Sequence, residues 1–311
     1  MTTATAQGRT STSPEAIRND GPTKRRPMKS PYPTWFFIPA GVFYLVLFLV
    51  PTIASFYFSL TRWTLFSVEF IGFDNFVRFF QEPQLVQGFI NTFIYAFLTS
   101  GAKVVLGLLL GVFLSSQIIA RGFLRSVVFF PVLVSVIGVG ILFKVLMDPF
   151  DGPINEGLAA IGIDGPGWYT DPSLALVSVA IVDIWAGVGL ATLIYIAGMV
   201  AIPQEYFEAS KVDGASAWST FRHITLPLLR PATVTVVLLS LIGGLRRFDL
   251  IWTMTGGGPG FSSDVLASVV YKQYQAGFFG LSTAGNVVLF VVVAAIIFPL
   301  SWWLNRKEDE R

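Results

Sequence analysis

Six long apolar runs, separated by polar or Gly/Pro-rich segments, organise the chain. They cover residues 35–60, 89–117, 123–147, 174–200, 231–252 and 281–304. Each run provides the ~20 apolar residues that an α-helix needs to cross the hydrocarbon layer of a bilayer. The pattern therefore predicts an all-α, polytopic membrane protein with six transmembrane helices. The first run is too long for a cleaved signal peptide, and no small-residue cleavage site follows it, so we expect an uncleaved anchor.

The composition supports this interpretation and divides the chain into three parts. Of 311 residues, 53% are hydrophobic and 13% are charged, which is outside the usual range of soluble domains. We expect the membrane domain to cover 33–305. Residues 1–32 are rich in Thr, Ser, Pro and basic groups and predict a disordered cytoplasmic tail, and residues 306–311 form a short cytoplasmic C-terminal tail.

The distribution of Lys and Arg predicts the orientation of the spans. The two termini and the loops on their side of the membrane carry 14 of these residues, and the opposite loops carry 5. Because basic residues concentrate in cytoplasmic loops, both termini and the loop 201–227 are predicted to face the cytoplasm.

The loop 201–227 contains a short polar helix pattern. Pro203 suits the first turn of a helix, Glu208 places negative charge near the positive end of the helix dipole, and Gly214 suits a C-terminal stop. A helix over 203–213 would be about 16 Å long, which is too short to cross a bilayer. We therefore expect it to lie at the membrane surface.

The spacing within this loop carries a resemblance to a known family. The sequence reads Glu208-Ala209-Ser210, three residues, Gly214, nine residues, then Ile224-Thr225-Leu226-Pro227. This spacing resembles the signature loop of the permease subunits of binding-protein-dependent ABC importers (type I). Serine stands at 210 where the commonest form has a second alanine, and its small size keeps a close approach to a partner possible. An ordinary cytosolic loop with an amphipathic helix is the alternative interpretation.

The resemblance implies a mechanical role for the loop. In that family it forms a coupling helix that docks into a cleft of a separate ATPase subunit. The residues that would carry the coupling are Glu205, Glu208, Ala209, Ser210, Gly214, Ile224, Leu226 and Pro227.

Two further segments extend the resemblance over most of the chain from about residue 33. The segments FIGFDNFVRFF at 70–80 and RRFDLIWTMTGGGPG at 246–260 are similar to carbohydrate-type permeases, to the first of their two non-identical permeases. The resemblance implies a sugar or oligosaccharide importer in the inner membrane of a prokaryote. The implied partners are a dimer of ABC ATPase subunits, a second homologous permease, an extracytoplasmic solute-binding protein and membrane lipid, with no nucleic acid.

No energy-converting or catalytic motif occurs in the sequence. A phosphate-binding Gly-x-x-x-x-Gly-Lys-Ser/Thr loop is absent, so ATP and Mg would bind to the partner ATPase and this chain would carry no cofactor. The single histidine, His223, has no hydrolase or metal motif around it, and the acidic loop 148–173 lacks an EF-hand pattern. We therefore expect neither an enzyme nor a metal site.

Two ionisable residues near mid-membrane leave a different class open. Lys103 lies in the second run and Asp183 in the fourth, and each would cost about 2.5 to 3.5 kcal/mol at a helix centre. They either pair with each other or separately line a hydrated cavity. Because buried charges also mark ion paths, a channel or ATP-independent secondary transporter is the rival class.

Sugar recognition requires aromatic faces and polar groups that can satisfy hydroxyls. The candidates for the substrate path are Asn91, Asp183, Trp185, Tyr195, Arg246, Arg247, Asp249, Trp252 and Asn286. Arg246 and Asp249 are three residues apart and could instead pair with each other. The adjacent Arg246 and Arg247 also suit a phosphate, so a sugar-phosphate or polyol such as glycerol phosphate remains an alternative substrate.

Overall fold

The computed structural model describes residues 34–64, 66–116 and 118–306. The predicted N-terminal tail, 1–32, lies outside the described residues, as does the C-terminal tail apart from Arg306. The described chain forms two compact units, which meet between Leu49 and Val50. All of the contacts below lie within the second unit.

The described residues form mainly helices, with one small β-hairpin. The first half of the chain contains a 3-10 helix Thr34–Phe37, α1 Ile38–Tyr44, a π-helix Leu45–Leu49, α2 Val50–Ser59, strands β1 Thr61–Trp63 and β2 Val68–Phe70, α3 Asp74–Gln81, α4 Pro83–Ser115, α5 Arg121–Phe129, a 3-10 helix Phe130–Leu133 and α6 Val136–Leu146. The second half contains α7 Pro153–Ala160, α8 Ala175–Val200, α9 Gln204–Val212, α10 Ala217–Thr220, a π-helix Phe221–Thr225, α11 Leu226–Leu228, α12 Arg230–Leu245, α13 Asp249–Met254, α14 Leu266–Gln275 and α15 Phe279–Arg306. The two strands pair antiparallel, with Arg62 opposite Glu69.

The candidate membrane spans agree with the predicted six when bent pairs are counted as one. Four are continuous helices, namely Trp35–Ser59, Pro83–Ser115, Ala175–Val200 and Phe279–Leu304. Two are helix pairs bent by more than 40°: Arg121–Leu133 with Val136–Leu146, and Ala217–Leu228 with Arg230–Leu245.

The prediction of one continuous helix over 123–147 is wrong. The chain bends by 100° between Leu133 and Val136, where Val134 is extended, with φ −85° and ψ 141°. Pro131 lacks a backbone N–H and precedes the break, which explains why the α-helix cannot continue. Hydropathy alone did not reveal this bend.

The predicted fifth span, 231–252, is also divided. Helix α12 ends at Leu245, and a short break leads into α13. At its other end, Pro227 and Pro231 flank a bend of 65°, as expected where proline removes backbone donors. The helical path of this bent pair begins at Ala217, so the Ile-x-Leu-Pro segment is helical.

Close packing of α4 on α8 forms the centre of the second unit. A Cβ atom added at Gly107 would lie 2.7 Å from Cβ of Ala191, and one added at Gly111 would lie 2.8 Å from Cβ of Tyr195. Glycine at these two positions therefore permits a helix approach that larger residues would prevent. Helix α12 packs against both helices and completes the group that carries the buried charges.

Candidate functional site

The predicted surface helix is present as α9. It begins after Pro203, which precedes the first helical residue, and it ends at Val212. Gly214 adopts φ +69°, in the left-handed region that favours glycine. Its N–H donates to the Lys211 carbonyl at 3.1 Å, and the Ala215 N–H donates to the Ser210 carbonyl at 2.9 Å. These bonds terminate the helix as the sequence pattern indicated.

One face of α9 presents its polar side chains to solvent. Glu205, Glu208 and Ala209 are exposed, whereas Ser210 is buried. Ser210 Oγ donates to the Phe207 carbonyl at 2.9 Å and accepts from Thr220 Oγ1 at 3.3 Å. These bonds hold α9 against the next helix, and a contact of Ser210 with an ATPase stays a prediction.

The remaining residues of the predicted coupling loop connect α9 to the membrane. Ile224 is half-buried in the π-helix, and Leu226 and Pro227 are exposed on α11. Thr225 is buried between them. These segments lie between α9 and α12, and α11 is joined to α12 through the bend at Leu229.

Lys103, Asp183 and Arg247 form a buried ion cluster, and this name is used for the three residues below. Lys103 Nζ lies 2.7 Å from Asp183 Oδ2, and Arg247 Nη2 lies 2.7 Å from Asp183 Oδ1. The side chains of Lys103 and Asp183 are 6% and 3% exposed. The expected contact between Lys103 and Asp183 is therefore present, and Arg247 joins it. The single carboxylate connects α4, α8 and the break after α12.

Two local features surround the buried ion cluster. The buried hydroxyl of Tyr95 lies beside Asp183 and Arg247, and Nε of Arg247 is buried without a hydrogen-bond partner among the described residues. A Cβ atom added at Gly187 would lie 2.8 Å from Cε of Lys103. Glycine at this position lets the lysine side chain lie along α8.

Two candidates for the substrate path have structural roles. The Nδ2 group of Asn91 donates to the carbonyls of Ser262 and Asp264 at 2.8 Å each, and its Oδ1 accepts from Gln87 at 2.9 Å. Tyr195 is fully buried in an apolar cluster between α8 and α12. Both side chains are buried in contacts within the bundle, and a contact of either one with the substrate stays a prediction.

The other candidates lie closer to open space. Trp185 is 40% exposed and meets Phe143 edge to face, with ring centroids 5.0 Å apart. Arg246 and Asp249 are both exposed and, within the described chain, form no ion pair with each other. The alternative in which they neutralise one another is therefore not observed.

An aromatic group lies next to these residues and was not recognised in the sequence. Trp252 stacks on Phe248 at 5.6 Å and meets the edge of Tyr271 at 4.9 Å. Tyr274 and the exposed Asn286 line the same groove as Phe248 and Tyr271. Tyr271 and Tyr274 are spaced at i, i+3 on α14, which is a signal for a shared helix face.

The Gly-rich segment after α13 is fixed by a buried ion pair. Asp264 is fully buried, and its Oδ2 accepts from Lys272 Nζ at 2.6 Å while Oδ1 accepts from Ser268 at 2.7 Å. Burial raises the pKa of Asp264, and the bonds to Lys272 and Ser268 oppose that shift. A side chain at Gly257 would overlap Asp264, so glycine is required there.

The segment between α6 and α8 is ordered by side-chain bonds. The Tyr169 hydroxyl donates to Asp148 Oδ2 at 2.8 Å, and Trp168 Nε1 donates to Asn155 Oδ1 at 2.7 Å. Backbone N–H groups of Phe150 and Asp151 also donate to Asp148, and these bonds lower its pKa. Desolvation and the neighbouring carboxylate raise the pKa of Tyr169 to about 12.

In the part of the chain that the structure describes, no group of three or more His, Cys, Asp or Glu residues could hold a metal ion. The arrangement comprises a helical membrane bundle, an exposed surface helix connected to a bent span, and a charged and aromatic region within the bundle. These features are those of a polytopic helical membrane protein.

Comparison with known proteins identifies the family. Residues 103–307 match the binding-protein-dependent transport system inner membrane component family, and the chain belongs to it. It is a transmembrane permease subunit of an ATP-driven, binding-protein-dependent importer. As a member of an inner-membrane component family with several apolar helices, it is a membrane protein.

Several relatives cover nearly the whole chain. A probable ABC transporter permease protein of Bacillus subtilis is 33% identical over 89% of this chain and 97% of its own length. A trehalose/maltose transport system permease protein of Thermococcus litoralis is 31% identical over 82% of this chain and 88% of its own. A lactose transport system permease protein of Rhizobium radiobacter is 31% identical over 92% of this chain and 98% of its own length.

A solved structure shows the same fold. A crystal structure of a bacterial ABC transporter involved in the import of the acidic polysaccharide alginate contains a chain that matches with a TM-score of 0.76. The two chains are 23% identical, and the match covers 87% of this chain and 94% of the other. At this identity the likeness establishes the fold alone, and it agrees with the predicted type I permease architecture.

Proposed function

We propose that this permease imports a sugar or oligosaccharide, that α9 is its coupling helix, and that it transports as one half of a permease pair. A dimer of ABC ATPase subunits on the cytoplasmic side would bind ATP and Mg and supply the energy. A second homologous permease would complete the path, and an extracytoplasmic solute-binding protein would deliver the substrate. Both termini would face the cytoplasm, and the chain itself would catalyse no reaction.

The exposed face of α9 is the observation that carries the coupling proposal. Glu205 and Glu208 project from a helix of nine residues that is closed at its end by Gly214. Two exposed carboxylates one turn apart can pair with basic groups of a docked protein. The helical connection through Leu226 to α12 would transmit the displacement of α9 to the membrane bundle.

The geometry around α12 and α13 supports a substrate path. Trp185, Arg246, Asp249, Trp252 and Asn286 lie at exposed or half-buried positions. Aromatic rings bind the apolar C–H faces of sugars, and adjacent polar groups satisfy sugar hydroxyls. The names of the trehalose/maltose and lactose relatives support the same substrate class.

The alternative of a glycerol-phosphate-like substrate receives less support. It relied on two adjacent arginines that act together, but the structure separates them: Arg247 is bound to the buried Asp183, whereas Arg246 is exposed. The rival class, a channel or secondary transporter, required an ion path through Lys103 and Asp183. These residues are instead bound to each other.

Retention of an ATPase tests the proposal directly. The chain would be coexpressed with its neighbouring permease and ATPase, purified by a tag on this chain, and assayed for bound ATPase and ATP hydrolysis. Glu208→Lys should reduce ATPase retention by about tenfold or more, as expected for loss of a charge pair at an interface. Glu156→Lys is the matched control, since Glu156 is an exposed acid on α7. Equal retention in both variants would contradict the proposed role of α9.

A further inference from the structure

The buried ion cluster carries an excess of positive charge. Asp183 accepts from Lys103 through one carboxylate oxygen and from Arg247 through the other. Two cations therefore share one anion, and the three formal charges sum to +1. An unbalanced charge within a membrane bundle is costly and is normally paired. The cluster has a place for one further negative charge.

An unused hydrogen-bond donor accompanies this charge. Nε of Arg247 is buried without a hydrogen-bond partner among the described residues, and the hydroxyl of the fully buried Tyr95 lies beside Asp183 and Arg247. Buried polar groups are nearly always paired in native proteins, so unpaired ones indicate a missing partner. Arginine has five N–H donors in a fork that matches a carboxylate, and lysine has three.

A cavity gives access to both cations. Lys103 and Arg247 line the same space, together with Ser240, Gly187 and Gly243. Aliphatic side chains form the rest of the wall, namely Leu190, Ala191, Ile194, Val236 and Leu239. Its volume is about 130 Å³, close to the ~150 Å³ of a cavity that holds a benzene ring. A carboxylate and part of the sugar ring that bears it can therefore occupy this space.

We propose that the buried ion cluster binds the carboxylate of an acidic sugar during transport, so that the substrate is a uronic acid or an oligosaccharide that contains one. The inference rests on the proposed function as a sugar permease. One carboxylate carries one negative charge, which matches the excess of +1, whereas a phosphate monoester carries about −1.5 to −2 at pH 7. The match in charge favours the carboxylate.

The test compares three sugars that differ at one position. Glucuronate, glucose and glucose 6-phosphate would be titrated by calorimetry into the complex of this chain with its ATPase and second permease in lipid nanodiscs. Glucuronate should bind at least about tenfold more tightly than glucose, as expected for hydrogen bonds to a charged group. Glucose 6-phosphate should bind less tightly than glucuronate.

Variants of the buried ion cluster should change glucuronate binding in opposite directions. Lys103→Met removes the excess charge and should weaken glucuronate binding by about tenfold, whereas Asp183→Asn frees both cations and should strengthen it. Lys144→Met removes an exposed lysine from α6 and should leave glucuronate binding unchanged. If Asp183→Asn does not fold, Gly187→Ala provides a second variant, with the same expected direction as Lys103→Met. That variant displaces the Lys103 side chain without changing the charge and should weaken glucuronate binding.

Three results would overturn the inference. These are equal affinities for glucuronate and glucose, a preference for glucuronate that is unchanged in Lys103→Met, or tighter binding of glucose 6-phosphate than of glucuronate. An unchanged preference for glucuronate in Lys103→Met would indicate that a carboxylate of the second permease neutralises the excess positive charge. A complex that retains its ATPase but shows no preference removes this inference and leaves the proposed function intact. If the wild-type chain binds no ATPase, both the proposed function and this inference are contradicted.

Discussion

Asp183 on α8 accepts a hydrogen bond from Lys103 of α4 through Oδ2 and one from Arg247 through Oδ1, each at 2.7 Å. This shared carboxylate connects the two most closely packed helices to the break between α12 and α13. The same residue therefore stabilises the bundle and fixes the position of the side chains that follow the break.

The three members of the buried ion cluster should differ in their effect on stability. Asp183→Ala leaves two cations without a partner and should lower the free energy of unfolding by about 3 to 5 kcal/mol. Lys103→Met leaves the pair of Asp183 and Arg247 intact and should have a smaller effect. The measurement is the fraction of monodisperse protein that remains after heating in detergent, with Lys144→Met as the control. A greater loss from Lys103→Met than from Asp183→Ala would contradict this arrangement.

A charge swap between Lys103 and Asp183 is expected to fail, for a reason that only the structure shows. The swapped lysine at 183 would lie next to Arg247, and like charges in that position repel each other. A rescue of the single variants by the swap, measured by the yield of folded protein, would show that Arg247 is not bound to residue 183.

The close approach of α4 and α8 should be sensitive to a single methyl group. Gly107→Ala places a Cβ atom 2.7 Å from Cβ of Ala191 and 3.2 Å from its carbonyl carbon. Overpacking of this kind costs about 1 to 3 kcal/mol, and we expect a corresponding loss of thermal stability. Gly101→Ala is the control on the same helix, because nothing lies within 4 Å of its added Cβ. Equal stability of the two variants would contradict the helix contact.

The C-terminal stop of α9 should require glycine. Gly214 has φ +69°, a conformation that costs other residues about 1 to 2 kcal/mol. Gly214→Ala should therefore decrease the hydrogen-exchange protection of α9 by about fivefold to thirtyfold and reduce uptake. Gly122→Ala on α5 has no positive φ and no close neighbour. Equal hydrogen exchange of α9 in Gly214→Ala and Gly122→Ala would contradict the helix stop at Gly214.

The bond between Tyr169 and Asp148 should be lost at both pH extremes. The pKa of Asp148 is lowered in the folded protein, so its contribution is present above the model-peptide value of 3.8 and is lost as the pH falls below it. The pKa of Tyr169 is raised to about 12, so the protonated donor is favoured and its contribution is lost as the pH rises from 10 towards 12.

Limited proteolysis of residues 148–171 measures this dependence. Cleavage in the wild-type protein should be slowest between about pH 4 and pH 10 and should increase outside that window. Tyr169→Phe removes the hydroxyl and should flatten the alkaline limb. An alkaline limb that is the same in Tyr169→Phe and the wild type would exclude this bond as its cause.

The sequence predicted the spans and α9 because their signals are local. Apolar length reveals a membrane helix, and a proline before a helix with a glycine after it reveals the ends of α9. Apolar composition continues across the bend at Val134, so hydropathy could not locate it, although Pro131 is a local signal for it. The break after Leu245 coincides with the charged residues Arg246, Arg247 and Asp249, which the predicted span 231–252 included.

The candidate site was predicted only in part, because only some of its contacts follow from local sequence signals. A lysine and an aspartate in two apolar runs must find partners, so their contact could be anticipated. Arg247 was a candidate for the substrate path, and its contact with Asp183 joins positions 64 residues apart, which no local pattern encodes. The hydrogen bonds of Asn91 to the segment after α13 join residues 171 and 173 positions apart, and no local pattern encodes such a contact.

Site-directed cross-linking of α9 to the ATPase tests the central claim most directly. The chain has no cysteine, so a single cysteine at the exposed Ala209 provides one reactive thiol, and one at Gly157 on α7 provides the control. Ala209→Cys should cross-link to the coexpressed ATPase and should not react with a membrane-impermeant maleimide in intact cells. Gly157→Cys should react with the maleimide and should not cross-link to the ATPase. Labelling of Ala209→Cys from outside the cell, or the absence of any cross-link to the ATPase, would contradict the account.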